Sequence, residues 1–141
     1  MKLFLFILSI NLAISFDACC QTNILVLKGS VYYKNNRLAD VAMNVYSKGE
    51  LIETVKTNSR GKFVLKLTGK DNYTVEFKKE GYFDRQMIFS AHPKNDFGRE
   101  RFSFEIDMFK FKEDETPEEV TKVPLIEYIP NEKQFKFTQN L

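Results

Sequence analysis

Tryptophan is absent, histidine occurs once, and the two cysteines are neighbours, Cys19 and Cys20. A zinc site wants three or four His, Cys or carboxylate ligands. The single histidine, His92 in the loop His92-Pro93-Lys94-Asn95-Asp96, does not supply the usual set and reads as a solvent-facing loop residue. A Ser-His-Asp triad would have to recruit the same histidine, and no serine stands in a nucleophile-elbow context. The alternation of Asp and Asn with a closing Glu that marks a calcium loop is missing as well. Adjacent cysteines rarely meet disulfide geometry, so no cross-linked framework supports the fold, which must stand on its core. Charge of one sign is also lacking: 21 Lys and Arg oppose 19 Asp and Glu, for a formal +2. Cations scattered along the chain in this way argue against nucleic acid or an anionic membrane surface as partner. The expectation is a protein that is not an enzyme, with no catalytic residue, metal or cofactor.

What the chain does have is apolar and aromatic mass, 43% apolar with 14 Phe and 6 Tyr in 141 residues, enough for one domain with a real core. Lys2 is followed by residues 3–16 without a charge, long enough for a signal-peptide core and short for a membrane span. Residues 1–20 are therefore read as an export signal, with Ala18 and Cys20 as the small residues before a cut that leaves Gln21 first. The alternative is a lipid anchor at Cys19, preceded by the small Ala18, although Phe16 and Asp17 fit a lipobox poorly.

From Gly29 onward apolar residues recur with a period of two. Phe63, Leu65 and Leu67 alternate with Val64, Lys66 and Thr68, and Tyr73, Val75 and Phe77 alternate with Thr74, Glu76 and Lys78. Such alternation marks half-buried strands. Seven are expected, at residues 24–34, 41–47, 51–57, 62–68, 72–79, 85–91 and 101–109. Lys48-Gly49, Asn58-Ser59-Arg60-Gly61 and Gly69-Lys70-Asp71-Asn72 provide turn chemistry between them. Short strands at this spacing predict an all-β, seven-stranded Greek-key sandwich of two sheets. Its inward set is Leu27, Val31, Tyr33, Met43, Val45, Phe63, Leu65, Leu67, Tyr73, Val75, Phe77, Met87, Phe89, Phe102, Phe104 and Ile106.

Beyond this sandwich, at residues 24–110, the texture changes. Glu113, Asp114, Glu115, Glu118 and Glu119 surround Pro117 in an acidic linker, residues 111–122. The tail, residues 123–141, regains Leu125, Ile126, Tyr128, Ile129, Phe135 and Phe137. It is expected to fold back on the sandwich as one or two extended segments, with a partner-binding tail as the alternative.

Gly29-x-Val31, then Leu38-Ala39-Asp40-Val41 leading into Val45, then Thr57-Asn58-Ser59-Arg60-Gly61-Lys62-Phe63, then Tyr73-x-Val75-x-Phe77 with Lys79-Glu80-Gly81-Tyr82 follow one another in a recognisable order. In these residues the chain resembles the carboxypeptidase regulatory-like domain, a transthyretin-like sandwich. The resemblance implies a non-catalytic accessory module of secreted or envelope proteins, here without a large domain attached. Hydrolases of the transthyretin-like fold use several His and Arg residues, and dioxygenases on related sandwiches hold iron with His and Tyr pairs; one histidine argues against both.

Among the polar residues, Glu76, Glu105 and Asp107 fall at outward positions and read as a solvated face. Lys28 lies on the face opposite Leu27, which disfavours a self-formed Lys–Asn cross-link. Asn72-Tyr73-Thr74 matches a glycosylation sequon, and Tyr32 and Tyr46 point outward, where clustering would make a contact patch. The function expected is an exported, periplasmic, outer-membrane-associated or secreted module that presents edges and loops to another envelope protein. A small-ligand or glycan-binding sandwich is the alternative.

Overall fold

The computed structural model describes residues 22–69, 71–90, 97–111, 120 and 122–140. Among them the period-two pattern becomes ten strands: β1 (Ile24–Tyr33), β2 (Asn36–Arg37), β3 (Ala42–Ser47), β4 (Glu50–Lys56), β5 (Lys62–Thr68), β6 (Asn72–Lys78), β7 (Arg85–Ser90), β8 (Arg99–Asp107), β9 (Pro124–Ile129) and β10 (Gln134–Asn140). Two sheets result. In the smaller, β1 is central; β5 and the short β2 lie antiparallel along one side, and β8 runs parallel along the other. The larger has the order β10-β9-β7-β6-β3-β4, antiparallel throughout except for the parallel pair β7 and β9.

The sheets meet through the faces that alternation assigns inward. Along β5, Phe63, Leu65 and Leu67 are buried while the residues between them are exposed. Of the whole expected inward set only Tyr33 and Phe102 are not fully buried, and both pack half-covered against the core. At its centre the Phe63, Phe77 and Phe104 rings sit 5.3–6.3 Å apart in tilted and edge-on pairs, the arrangement that ring quadrupoles favour.

Among the described residues ten strands stand where seven were expected. β2 arises because Lys34 and Asn35 both take positive φ, 45° and 65°, and turn the chain back on β1. β9 and β10 are the segment read as a tail, and they are sheet rather than appendage. β9 joins the edge of β7, bringing Ile126 beside Phe89. Ile126, Tyr128 and Phe135 are buried, and the last two close with Phe97 into a ring cluster with centroids 5.2–5.3 Å apart. Buried Asn23 holds the approach to β8 by accepting from the backbone N–H groups of Phe97 and Gly98 at 3.0 and 2.9 Å. The acidic linker lies mostly outside the described residues.

Two glycines are required by the backbone. Gly61 has φ of 68°, and an added Cβ would meet Leu38 N at 2.9 Å. The Asn58 side chain completes this turn by accepting from the N–H groups of Arg60 and Lys62. At Gly29 an added Cβ would lie 2.0 Å from the carbonyl oxygen of Phe104, so only glycine lets β1 and β8 approach as they do.

The sheet edges are guarded. Both outer strands of the larger sheet carry irregular register, β4 opposite Val45 and Tyr46 and β10 between Phe137 and Gln139. In the smaller sheet, β5 displays Lys62 and Lys66, and β8 displays Arg99, Arg101, Glu105 and Asp107. Bulges and edge charges are the usual devices against unwanted strand pairing.

Candidate binding surfaces

Two outer sheet faces carry the functional candidates. On the larger sheet, β3, β6 and β7 place Tyr46, Thr74, Glu76 and Gln86 side by side. Sequence reading places Glu76 on a solvated face; the outward direction is right, but the residue is buried, at 9% exposure. The correction has a packing cause. Glu76 lies on a central strand, where side chains of both neighbouring strands close over it. A carboxylate so covered needs partners. Tyr46 Oη donates to its Oε2 at 3.2 Å, Gln86 Nε2 donates to Oε1 at 3.3 Å, and Lys78 Nζ stands 3.5 Å away. Lys78 in turn is held above its ordinary pKa, first by its hydrogen bond to Asp84 and then by Glu76.

Beside this network lies a shallow groove of about 280 Å³ bounded by Tyr46, Lys48, Asn72, Thr74, Glu76 and Gln86. Hydroxyl and amide pairs flank it: Thr54 donates to Asn44 and Ser90 donates to Asn72, each at 2.9 Å. Asn72, the sequon residue, is thus engaged in a cross-strand bond. At the margin Tyr46 pairs across the sheet with Leu51, and Leu51 and the adjacent Ile52 are 55% and 54% exposed. Periodicity missed this pair as a surface feature because the bulge interrupts the alternation at Ile52.

On the smaller sheet the register gathers residues that are far apart in sequence. Lys66 and Arg101 flank Val26, Val64 and Ser103 flank Lys28, Lys62 and Glu105 flank Ser30, and Arg99 stands opposite Ile24. The expectation of scattered cations is therefore corrected: Lys28, Lys62, Lys66, Arg99 and Arg101 share one face. All five are exposed, and among the described residues none makes a side-chain hydrogen bond or ion pair. Lys28, Lys56 and Lys62 also border an open groove of about 570 Å³ floored in part by Val55 and Val64. The carboxylates of the face, Glu105 and Asp107, stand toward the other end, where Tyr32 donates to Glu105 at 3.2 Å and accepts from Arg37 at 3.3 Å.

His92 lies outside the described residues, as do Cys19 and Cys20. Lys28 is on the outer face, away from the core, as alternation placed it. Among the described residues no three His, Cys, Asp or Glu side chains gather as metal ligands, and no helix is long and apolar enough to cross a membrane.

The architecture is an immunoglobulin-like or transthyretin-like β-sandwich, and solved structures of that kind resemble it. The TIE protein of Bacillus anthracis matches with a TM-score of 0.50 and 18% identity over 62% of this chain and 17% of its own. The minor pilin GBS52 of Streptococcus agalactiae matches with a TM-score of 0.42 and 15% identity, over 69% of this chain and 48% of its own. The 3-chlorocatechol 1,2-dioxygenase of Rhodococcus opacus 1CP matches with a TM-score of 0.44 and 14% identity, over 62% of this chain and 59% of its own. The match covers less than two thirds of each of these chains, from 17% to 59%. No family model matches it, and no curated protein does.

Proposed function

We propose that this chain is a non-catalytic, exported module of the carboxypeptidase regulatory-like kind that holds another cell-envelope protein on the outer face of its six-stranded sheet. The observation that carries the reading is the exposed pair Leu51 and Ile52 beside Tyr46, rimmed by Asn44, Thr54, Glu76 and Gln86. An aliphatic and aromatic centre within a polar rim is the anatomy of a protein interface. The bulge in β4 favours contact through side chains over addition of a partner strand to the edge. Export rests on the uncharged run at residues 3–16. A Leu51→Glu/Ile52→Glu variant exported from its native source should lose a co-purifying envelope protein while keeping its melting temperature. Retention of the same partner by the folded variant would overturn the interface.

A second reading is supported by the groove itself. Its amide, hydroxyl and carboxylate lining, with Tyr46 as an aromatic wall, suits the hydroxyl groups of a glycan. Titration with neutral oligosaccharides, followed by chemical shifts of the Gln86 and Asn72 side-chain amides, separates the two: saturable shifts support the glycan, and their absence supports the protein partner.

A further inference from the structure

We infer that the smaller, four-stranded sheet is a membrane-facing surface, which docks the sandwich onto anionic lipid headgroups. Five cations, Lys28, Lys62, Lys66, Arg99 and Arg101, share its outer face against two carboxylates, and among the described residues none of the five is held in an ion pair, although Lys62 shares its row with Glu105. The chain as a whole has a formal charge of only +2, so the face concentrates what the rest of the molecule balances.

The arrangement favours a surface over a compact ligand. The cations occupy successive cross-strand rows along β1 rather than converging on one point, and rows on one face of a strand recur every ~7 Å. Four rows therefore span roughly 20 Å of a nearly flat face. Val26, 3% exposed between Lys66 and Arg101, is covered as their aliphatic stems would cover it, with the charged heads left in water. Cationic groups so displayed are drawn to a negatively charged leaflet when they lie within about a Debye length of it.

The distribution also has a direction. Arg99, Lys66 and Arg101 lie level with Ile24 and Val26, at the start of β1, whereas Glu105 and Asp107 lie level with Ser30 and Tyr32. The cationic end is thus the end at which the chain enters the sandwich from Cys19, the candidate lipid-bearing residue five positions before Ile24. A lipid there would hold Ile24 within about 18 Å of the bilayer, since an extended residue spans at most ~3.6 Å. Lipidation strengthens the docking but is not needed for the charge complementarity. The polar face on the other sheet stays turned outward, available to a partner.

The test is co-sedimentation of the full chain with vesicles of phosphatidylcholine alone or with one third phosphatidylglycerol, at low and high salt. The neutral vesicles record whatever the apolar residues 3–16 contribute, which is the same in every variant. Binding to the anionic vesicles should exceed that baseline and fall steeply with salt. Each neutralised cation should weaken the excess about fivefold, so Lys66→Gln/Arg101→Gln and Lys28→Gln/Lys62→Gln should each lose about 25-fold at unchanged melting temperature. Lys48→Gln/Lys133→Gln, with the same charge loss in turns of the other sheet, should lose far less. The proposal is overturned if the anionic excess is absent, if the control variant loses as much as the face variants, or if soluble polyphosphate binds with the same face dependence while vesicles do not. None of these outcomes bears on Leu51 and Ile52, so the protein-interface reading stands or falls separately.

Discussion

Replacing Ile126 with alanine asks whether the C-terminal hairpin is part of the fold. Ile126 is fully buried on β9, level with Phe89 of β7 on one side and Phe137 of β10 on the other. Shortening such a side chain removes its transfer free energy and leaves a cavity that a pleated, two-sided environment cannot fully close. The cost is ~2–5 kcal/mol. Against a typical total of ~5–15 kcal/mol this is a large fraction. At about 4 °C per kcal/mol for a domain of this size, the melting temperature should fall by roughly 8–20 °C. Phe137→Ala is the internal control. Its ring touches Phe102 at 5.3 Å but is 56% exposed, so the loss should be ~1 kcal/mol or less. Thermal and urea unfolding by circular dichroism measure both, and a single cooperative transition in each shows that the hairpin melts with the sandwich. The reasoning is refuted if Ile126→Ala unfolds within ~0.5 kcal/mol of the parent and the amides of β9 and β10 exchange freely while those of β6 are protected.

Phe63→Ala and Phe77→Ala should each cost ~3–5 kcal/mol in urea unfolding, while Lys66→Ala on the outer face should stay within ~0.5 kcal/mol. Gly29→Ala should block the parallel pairing of β1 and β8, because its Cβ would fall 2.0 Å from a backbone oxygen; loss of protection at Val31 and Ile106 amides in exchange measurements reports it. Glu132, in the turn between β9 and β10, has its pKa lowered by hydrogen bonds from Lys136 and then Gln134. A carboxylate with a lowered folded pKa contributes stability above its unfolded pKa and loses it as pH falls through the folded one. The urea midpoint of the parent should therefore exceed that of Glu132→Gln at neutral pH, and the gap should close below the ordinary carboxylate range.

Alternation was sufficient to find seven of the ten strands among the described residues and most of the core, because side chains on a two-layer sandwich have only two directions to point. Phe63, Leu65 and Leu67 illustrate this: each is buried and each neighbour is not. The same rule missed what depends on register between distant strands. Lys66 and Arg101 are 35 positions apart in sequence yet flank one valine, because β1 pairs with both β5 and β8. Glu76 was read as solvated since period alone cannot tell a central strand from an edge, and it is the neighbours on β3 and β7 that bury it. The burial of Ile126 and Phe135 was foreseen only as a general return of apolar residues to the sandwich, since nothing local to residues 123–141 names β7 as the strand they join. Leu51 and Ile52 were hidden by the bulge, which breaks the alternation by which an outward apolar residue stands out.

The most direct test of the account is photo-cross-linking in the native envelope, with a photoreactive residue placed at position 51 and, separately, at position 64. Leu51 and Val64 are almost equally exposed, 55% and 53%, but sit on opposite outer faces. Position 51 should give a discrete adduct with one envelope protein, lost on Tyr46→Ala, and position 64 should give no protein adduct. A partner captured from position 64 and none from position 51 would contradict the assignment of the six-stranded face as the site of binding.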